Sequence, residues 1–309
     1  MNLLELAKAH PQPAKGGVPE WMLGHFRRRT ISFANALSDE HTQVHWLQSR
    51  TFTIDLRLPS EPLPVRALDA YSSPELRALA NHEGWMADSL WQDGQLSWQG
   101  GVSLQLHNRW PEPAILHRVG NCMIEFAPSG AYVEDWRLQA TGGPLIGLRL
   151  LEERDAETDE LLHLGGGLIM CGEHAGWVEG RPHGLPDAPG SLRDRAAAAL
   201  GDAATLSSLF DFETSLARQD ANGDYRIELS TLPARVGQRL DLDGFERVAE
   251  GSLRQQLILP DGRIVVRSYE VDTLEPEWQP VMTTPSTPEA EAWFVREQKT
   301  LGRYLTLLT

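Results

Sequence analysis

Between Thr51 and Leu58 the chain alternates without a break. Phe52, Ile54, Leu56 and Leu58 are apolar, while Thr51, Thr53, Asp55 and Arg57 are polar. A period of two is that of a strand with one face buried and one wet. The pattern returns where Val102, Leu104 and Leu106 oppose Ser103, Gln105 and His107, and where Tyr225, Ile227 and Leu229 oppose Arg226, Glu228 and Ser230. Asp93-Gly94, Ser129-Gly130, Asn222-Gly223 and Asp261-Gly262 supply hairpin turns between such runs. The patterning predicts strands over 24–33, 41–49, 51–59, 85–92, 95–106, 120–127, 130–139, 144–154, 160–171 and 173–180. A second series is predicted over 207–218, 224–232, 236–242, 246–250, 252–260 and 263–271.

Helices are few. Asn2 with Glu5 reads as a capping box for a short helix ending before Pro11, and Ser73-Pro74-Glu75 opens another through His82. Ser191 with Asp194 caps an Ala-rich helix that Gly201 stops. Thr287 caps a final helix with Trp293, Phe294, Leu301, Leu305 and Leu308 at helical spacing, which is expected to pack across the second lobe. The Pro/Gly-rich stretches 10–20 and 181–190 have the composition of a lead-in and a linker. The expected organisation is a helix and lead-in over 1–20, a first barrel over 21–180, a linker over 181–190, and a smaller barrel-like lobe with the C-terminal helix over 191–309. The fold class is all-β: two antiparallel β-barrel lobes with short peripheral helices. No short repeat points to a solenoid, and almost no helices are on offer for βαβ crossovers.

Charge narrows the partners. Forty-three acids against 28 bases give a net charge of −15 in 309 residues, a field that repels nucleic acid and anionic membrane surfaces. Arg27-Arg28-Arg29 is the one dense basic cluster. In a strand the three alternate faces, so they are either solvated edge residues or include one that points inward and needs a carboxylate or an anionic ligand. Two cysteines make no disulfide framework, no signal peptide or long apolar segment is recognised, and the expected compartment is the cytoplasm. Nothing in the sequence indicates the oligomeric state.

Catalytic and cofactor motifs are missing. Gly165-Gly166-Gly167 and Gly100-Gly101 lack the Lys-Ser/Thr and the helix of a phosphate loop, and read as bulges or close backbone contacts. Cys171, His174 and His163 lie close in sequence without a complete set of metal ligands, so no metal and no cofactor is expected. Gly-x-Ser-x-Gly does not occur, and the acidic run 152–160 reads as a solvated hairpin tip. The chain is unusual in its tryptophans, ten against eight Phe and five Tyr. Large amphipathic rings suit cavity walls as well as cores. On 130–138, Tyr132, Trp136 and Leu138 share a face with Glu134, and Gln48 shares one with Val44 and Trp46. A dry core seldom takes such polar groups, whereas a ligand cavity uses a few of them. The alternative is a shifted register, with Glu134 in solvent beside Arg137.

Trp46-Leu47-Gln48-Ser49 with Asp55-Leu56-Arg57-Leu58-Pro59, then 130–137, then Ile227–Pro233 with Gly237, together resemble a family of bacterial and fungal proteins built of two lipocalin-like (calycin) β-barrels. The similar segments span about residues 21–270. The resemblance implies calycin-like barrels and brings no catalytic residues with it; the glycine-aromatic signature of secreted lipocalins is not found near the first strand. The leading expectation is a non-enzymatic protein holding a small, largely apolar molecule in an aromatic-lined cavity of the first lobe. Trp46, Trp98, Tyr132 and Trp136 would line it, and Glu134 or Gln48 would orient a polar end. The alternatives are an isomerase or hydrolase using the same cavity, and an interaction module whose barrels are filled.

Overall fold

The computed structural model describes every residue except 15, 108–110, 140, 284–285 and 305–309. Helix α1 (Leu3–Ala9) precedes β1 (Gly24–Phe33), β2 (Ser38–Asp39), β3 (Gln43–Gln48) and β4 (Phe52–Leu58). After α2 (Ser73–Leu79) come β5 (Glu83–Gln92), β6 (Gln95–Ser103), β7 (Ala114–Val119), β8 (Cys122–Phe126) and β9 (Tyr132–Leu138). These pair in sequence order, and β1 pairs with β9 as well as with β3. The sheet therefore closes into an eight-stranded antiparallel barrel, with β2 a two-residue flap on β1. Closure removes the sheet edges that a chain rich in alternating strands would otherwise expose.

The second sheet contains β10 (Gly143–Asp155), β11 (Leu161–Leu164), β12 (Gly166–Cys171) and β13 (His174–Glu179). After α3 (Leu192–Ala198) and α4 (Ala203–Leu209) it continues with β14 (Glu213–Gln219), β15 (Tyr225–Ser230), β16 (Phe245–Ala249), β17 (Ser252–Ile258) and β18 (Ile264–Trp278). The order is β15-β14-β13-β12-β10-β18-β17-β16, with β11 beside β10. Between β15 and β16 the circuit is made by the segment 238–245, which bonds to β15 through Ile227 and Leu240 and to β17 through Gly244. Leu3, Leu6 and Ala7 of α1 pack in the core of this lobe.

The passage from one sheet to the other thus falls between Leu138 and Gly143 rather than at 181–190. The long strand β10 pairs with β18 over eleven register positions, so the sequence-distant half of the chain claims 143–179. Residues 181–212 lie against the barrel side of the junction, where Leu192, Ala196, Leu206, Leu209 and Phe212 share a core with Leu76 and Leu79 of α2. Composition saw only the prolines and glycines. Three smaller differences are local. The predicted strand from 207 begins as α4, because Asp202 caps it through Thr205 N and Leu206, Leu209 and Phe210 bury one helical face. The segment 236–242 forms no named strand, and β7, preceded by Pro111 and Pro113, was not predicted at all.

The alternation at 51–58 has a different meaning from the one expected: every residue of β4 is buried. Phe52 and Ile54 face the second sheet, close to the backbones of Gly167 and Gly176 respectively. Thr53, Asp55 and Arg57 face the barrel interior. The polar face is enclosed, not wet. The β3–β4 turn is clasped by the second lobe. Asp272 Oδ2 accepts from Ser49 Oγ at 2.5 Å and from Arg50 N at 3.0 Å, and the Arg50 guanidinium bonds both oxygens of Glu275.

Helix α5 (Pro288–Leu301) buries no residue; Trp293 and Phe294 are about half exposed. Acidic and basic residues from Glu289 to Lys299 interrupt its apolar spacing, so no continuous stripe is available to dock on the second lobe. Leu305 and Leu308 lie outside the described residues. No helix among the described residues is long and apolar enough to cross a membrane.

Gly101 lies opposite the bulge between Met86 and Asp88, at φ +82°, where a Cβ would meet the Met86 carbonyl oxygen at 1.9 Å. Gly94 has a similar φ of +79° but open space around it. Gly101→Ala is therefore expected to lower stability by about 2 kcal/mol or more, and Gly94→Ala by only about 1 kcal/mol. Urea midpoints of the two variants check the difference.

Candidate functional site

The barrel interior is aromatic along one path and charged along another. Trp136, Trp46, Trp98 and Trp85 form a chain of edge-to-face contacts, with centroid separations of 5.4, 6.0 and 5.8 Å. Phe26 packs on Trp46 at the floor, and the Arg118 guanidinium lies over the Phe26 ring. Arg118 also donates to the carbonyls of Trp21 and Val281, tying segments before β1 and after β18 across that end.

Beside the tryptophans stand Arg57, Asp55, Glu134, Glu125 and Arg28. Arg57 bonds both oxygens of Asp55, at 2.8 and 3.2 Å, and its Nη1 lies 3.9 Å from Glu134. Arg28 donates to Glu134 at 2.8 Å and to Asp39 at 2.7 Å. Of the three arginines of the first strand, Arg28 is thus the one that points inward, and its counter-charges are carboxylates. Asp55 and Arg57 both feel strong burial. It raises the Asp55 carboxyl despite Arg57, whereas for Arg57 the facing carboxylates outweigh burial and hold the guanidinium charged.

Glu125 sits across the β8–β9 ladder from Glu134. Trp136 Nε1 donates to it at 3.0 Å and the Tyr132 hydroxyl at 3.3 Å. Burial, then the neighbouring Glu134 charge, pushes its carboxyl well above the usual range. Two carboxyls facing each other away from solvent disfavour a double negative charge, which adds to the upward push on Glu125. Burial and the Glu125 charge push the Tyr132 phenol up as well.

Four of the six residues singled out from the sequence therefore meet in one chamber: Trp46, Trp98, Tyr132 and Trp136 line it, with Thr53, Asp55, Arg57, Trp85 and Glu125. Glu134 is behind them, 1% exposed and occupied by Arg28. Gln48 does not reach the chamber wall. Its amide accepts from Trp46 Nε1 at 3.1 Å and from Thr53 Oγ1 at 2.5 Å and donates to Ser89 Oγ, so it fixes the pose of Trp46. The chamber has only about 10 Å³ free, the room of a single water.

The larger space lies immediately outside. Trp85 and Trp98 line both the chamber and a cavity of about 260 Å³ at the barrel mouth, with Glu83, Met86, Val102, Gln105, Leu106 and His107 among its other walls. Trp98 Nε1 donates to Thr53 Oγ1 at 3.3 Å. Trp85 Nε1 is buried with no hydrogen-bond partner among the described residues. A cleft of about 560 Å³ shares Val102, Ser103, Leu106 and His107 with this cavity and continues to Arg181, the 182–190 segment and Phe212. Sequence reasoning missed Trp85, Asp55, Arg57 and Glu125. The Trp85/Trp98 hairpin around Asp93-Gly94 was visible, but which face its rings took was not.

A second charged cluster lies inside the other lobe. Glu153, His163 and Glu179 bring their ligand atoms within 4.8 Å of one another. Arg267 forms ion pairs with both carboxylates, at 2.7 Å to Glu179, and lies over the Trp177 ring. The guanidinium already supplies the positive charge, so this group reads as an internal ion network and not a metal centre. Cys171 and His174 face the junction of the lobes, away from His163, which bonds the Gly180 carbonyl. Among proteins already known, no family model, no curated protein and no solved structure matches this chain.

Because the Glu125 carboxyl is raised in the folded state, its contribution to stability is present below the ordinary carboxyl range and is lost as pH rises through its folded value. Glu125→Gln keeps the neutral shape and its bonds to Trp136 and Tyr132. The variant is expected to lack the wild type's loss of up to about 1.4 kcal/mol per pH unit above pH ~4.3. Urea denaturation from pH 4 to 9 checks this, together with loss of a protonated-carboxyl band from the infrared spectrum at neutral pH.

Proposed function

We propose that the protein binds a small, largely apolar molecule carrying a hydrogen-bond acceptor, seated at the barrel mouth between Trp85 and Trp98. The observation that carries this reading is the 260 Å³ cavity walled by these two indoles, one with a buried, unsatisfied N–H. A buried Trp N–H ordinarily finds a partner, and an acceptor on a bound molecule is a natural one. Met86, Val102 and Leu106 provide apolar walls, and Gln105, Ser103 and His107 a few polar groups, the usual composition of a small-molecule site. The closed eight-stranded antiparallel barrel is an architecture that lipocalin-like proteins use to hold one small ligand at the mouth or within. The lumen is too full for a long chain to enter, so the ligand is held at the entrance and only a small terminal group approaches the inner charges.

Titrating a panel of indoles, phenols and medium-chain fatty acids while following tryptophan emission tests the proposal. Saturable quenching or a spectral shift is expected for at least one class, weakened roughly tenfold by Trp85→Phe, which removes the N–H donor and leaves a smaller aromatic ring in its place. A panel without response, or a response unchanged in both Trp85→Phe and Trp98→Ala, overturns it.

One observation favours a second reading, acid catalysis at the same mouth. Glu125 is an inward acid raised beside a second carboxylate, the arrangement by which paired carboxyls become proton donors at neutral pH. Turnover of a bound compound that disappears in Glu125→Gln while binding persists would distinguish catalysis from binding alone.

A further inference from the structure

Three histidines that none of the preceding chemistry uses meet where the two lobes touch. His25 of β1 and His45 of β3 stand on the outer face of the barrel, His25 Nε2 lying 2.9 Å from His45 Nδ1. His174, at the start of β13 in the other sheet, brings its ring to 4.4 Å from that of His25. His25 is 2% exposed, His45 7% and His174 9%. The contact between lobes is close around them: a Cβ on Gly176, two residues from His174, would meet Leu47 and Ile54 side chains at 3.2 Å. His25 Nδ1 and His174 Nδ1 are buried with no hydrogen-bond partner among the described residues.

We propose that His25, His45 and His174 form an acid-sensitive latch, which holds the barrel against the second sheet while neutral and releases it on taking up protons. The groups facing the cluster explain the direction. From β1 comes Arg27, from β14 Arg218, and from the β12–β13 turn Glu173, whose carboxylate is already bonded to Arg218 at 3.0 Å. From β12 comes Cys171, the register partner of His174, whose thiol burial keeps neutral. The surroundings are therefore apolar or cationic, with one engaged acid at the edge. A first proton can be shared along the 2.9 Å contact, but a second places two imidazolium rings against each other without solvent.

The titration shifts agree with this geometry. Burial, then the other two histidines and Arg27, holds His25 well below the usual imidazole range. Burial, then Arg27 and His174, brings His45 down to about 3. Burial lowers His174 too, against the opposing pull of Glu173. A histidine lowered in the folded state contributes stability that is present above its ordinary value, near pH 6.5, and is lost as pH falls below it. Each such group raises the equilibrium constant for opening about tenfold per pH unit in that range.

The test is hydrogen exchange on the full chain at pH 7.5, 6.5 and 5.5, corrected for the intrinsic pH dependence of exchange. Protection is expected to fall first in β3, β12 and β13, while β7 and β8, on the far side of the barrel, stay protected. His174→Gln should remove about a tenfold step per pH unit from that loss, with His45→Gln as the second variant if it folds poorly. His82→Gln is the control, because that ring is also buried and lowered but bonds the Thr231 carbonyl away from the cluster. Three outcomes overturn the latch: all three rings titrating near pH 6.5 by NMR with the junction still protected, protection lost everywhere at once, or stoichiometric zinc uptake at pH 7.5 that holds the junction closed. The last would make the cluster a ligand set.

Discussion

A guanidinium enclosed in a closed barrel has to be met by carboxylates, and most of the first lobe follows from that requirement. Arg57 lies on β4, a strand covered on one face by the second sheet and on the other by the barrel's own far wall. Without Asp55 and Glu134 its charge would be stranded where solvent cannot reach. Glu134 in turn requires Arg28, which runs to Asp39 near the rim. Glu125, next in line, faces Glu134 across the ladder, and burial together with that neighbouring charge raises its carboxyl. The network leaves little freedom: register, strand pairing and side-chain pose must all be right together for each ion to find its partner.

The tryptophans serve the same arrangement from the other side. Their rings fill the space that the ions leave and exclude water from it, while each indole N–H with an assigned bond points at a polar group of the interior: Trp46 at Gln48, Trp98 at Thr53, Trp136 at Glu125. Trp85, at the mouth, breaks the pattern. The barrel is thus dense around its tryptophans, where only about 10 Å³ is free, and opens into the 260 Å³ cavity beside Trp85 and Trp98. The second lobe handles an interior cation in a similar way. Arg267 is bracketed by Glu153 and Glu179 and stacked on Trp177. What joins the lobes is different in kind: a shared apolar core of Leu47, Phe52 and Ile54 against Leu145, Ile169 and Val178, close approaches at Gly167 and Gly176, the Asp272 and Glu275 clasp, the Arg149–Asp88 pair, and the three histidines.

Much of the architecture was legible from alternation and turn residues, because a two-residue period and an Asx-Gly turn are local properties. The strand at 24–33 and the hairpin at Asp93-Gly94 needed no partner to be recognised. So did the side of 130–138 on which Tyr132, Glu134, Trp136 and Leu138 lie. Sharing a face is decided by pleat, but whether Glu134 lay inside or in solvent beside Arg137 was left open until the closed barrel brought Arg28 to it. The misreadings were non-local. The segment 143–179 could not be assigned to the second sheet without knowing that β18, more than a hundred residues later, pairs along β10. The run 203–210 was short and apolar enough to suit strand or helix, and packing against α3 and the barrel chose helix.

Thr51–Leu58 marks the boundary between the two kinds of information. The sequence by itself determined that these residues form a strand, and that Phe52, Ile54 and Leu56 share a face opposite to Thr53, Asp55 and Arg57. It could not say that the polar face is the inner one. Alternation reports only a difference between faces, and the simplest way to satisfy a polar face is water. Here tertiary structure satisfies it with ions from β1 and β9 instead, since strands far apart in sequence deliver Arg28 and Glu134 to the place where Arg57 and Asp55 end. The juxtaposition of Glu125 with Glu134, the unsatisfied Trp85 at the mouth, and the meeting of His25, His45 and His174 were decided in the same way. Each depends on distances between residues that only chain closure and the docking of two sheets bring together.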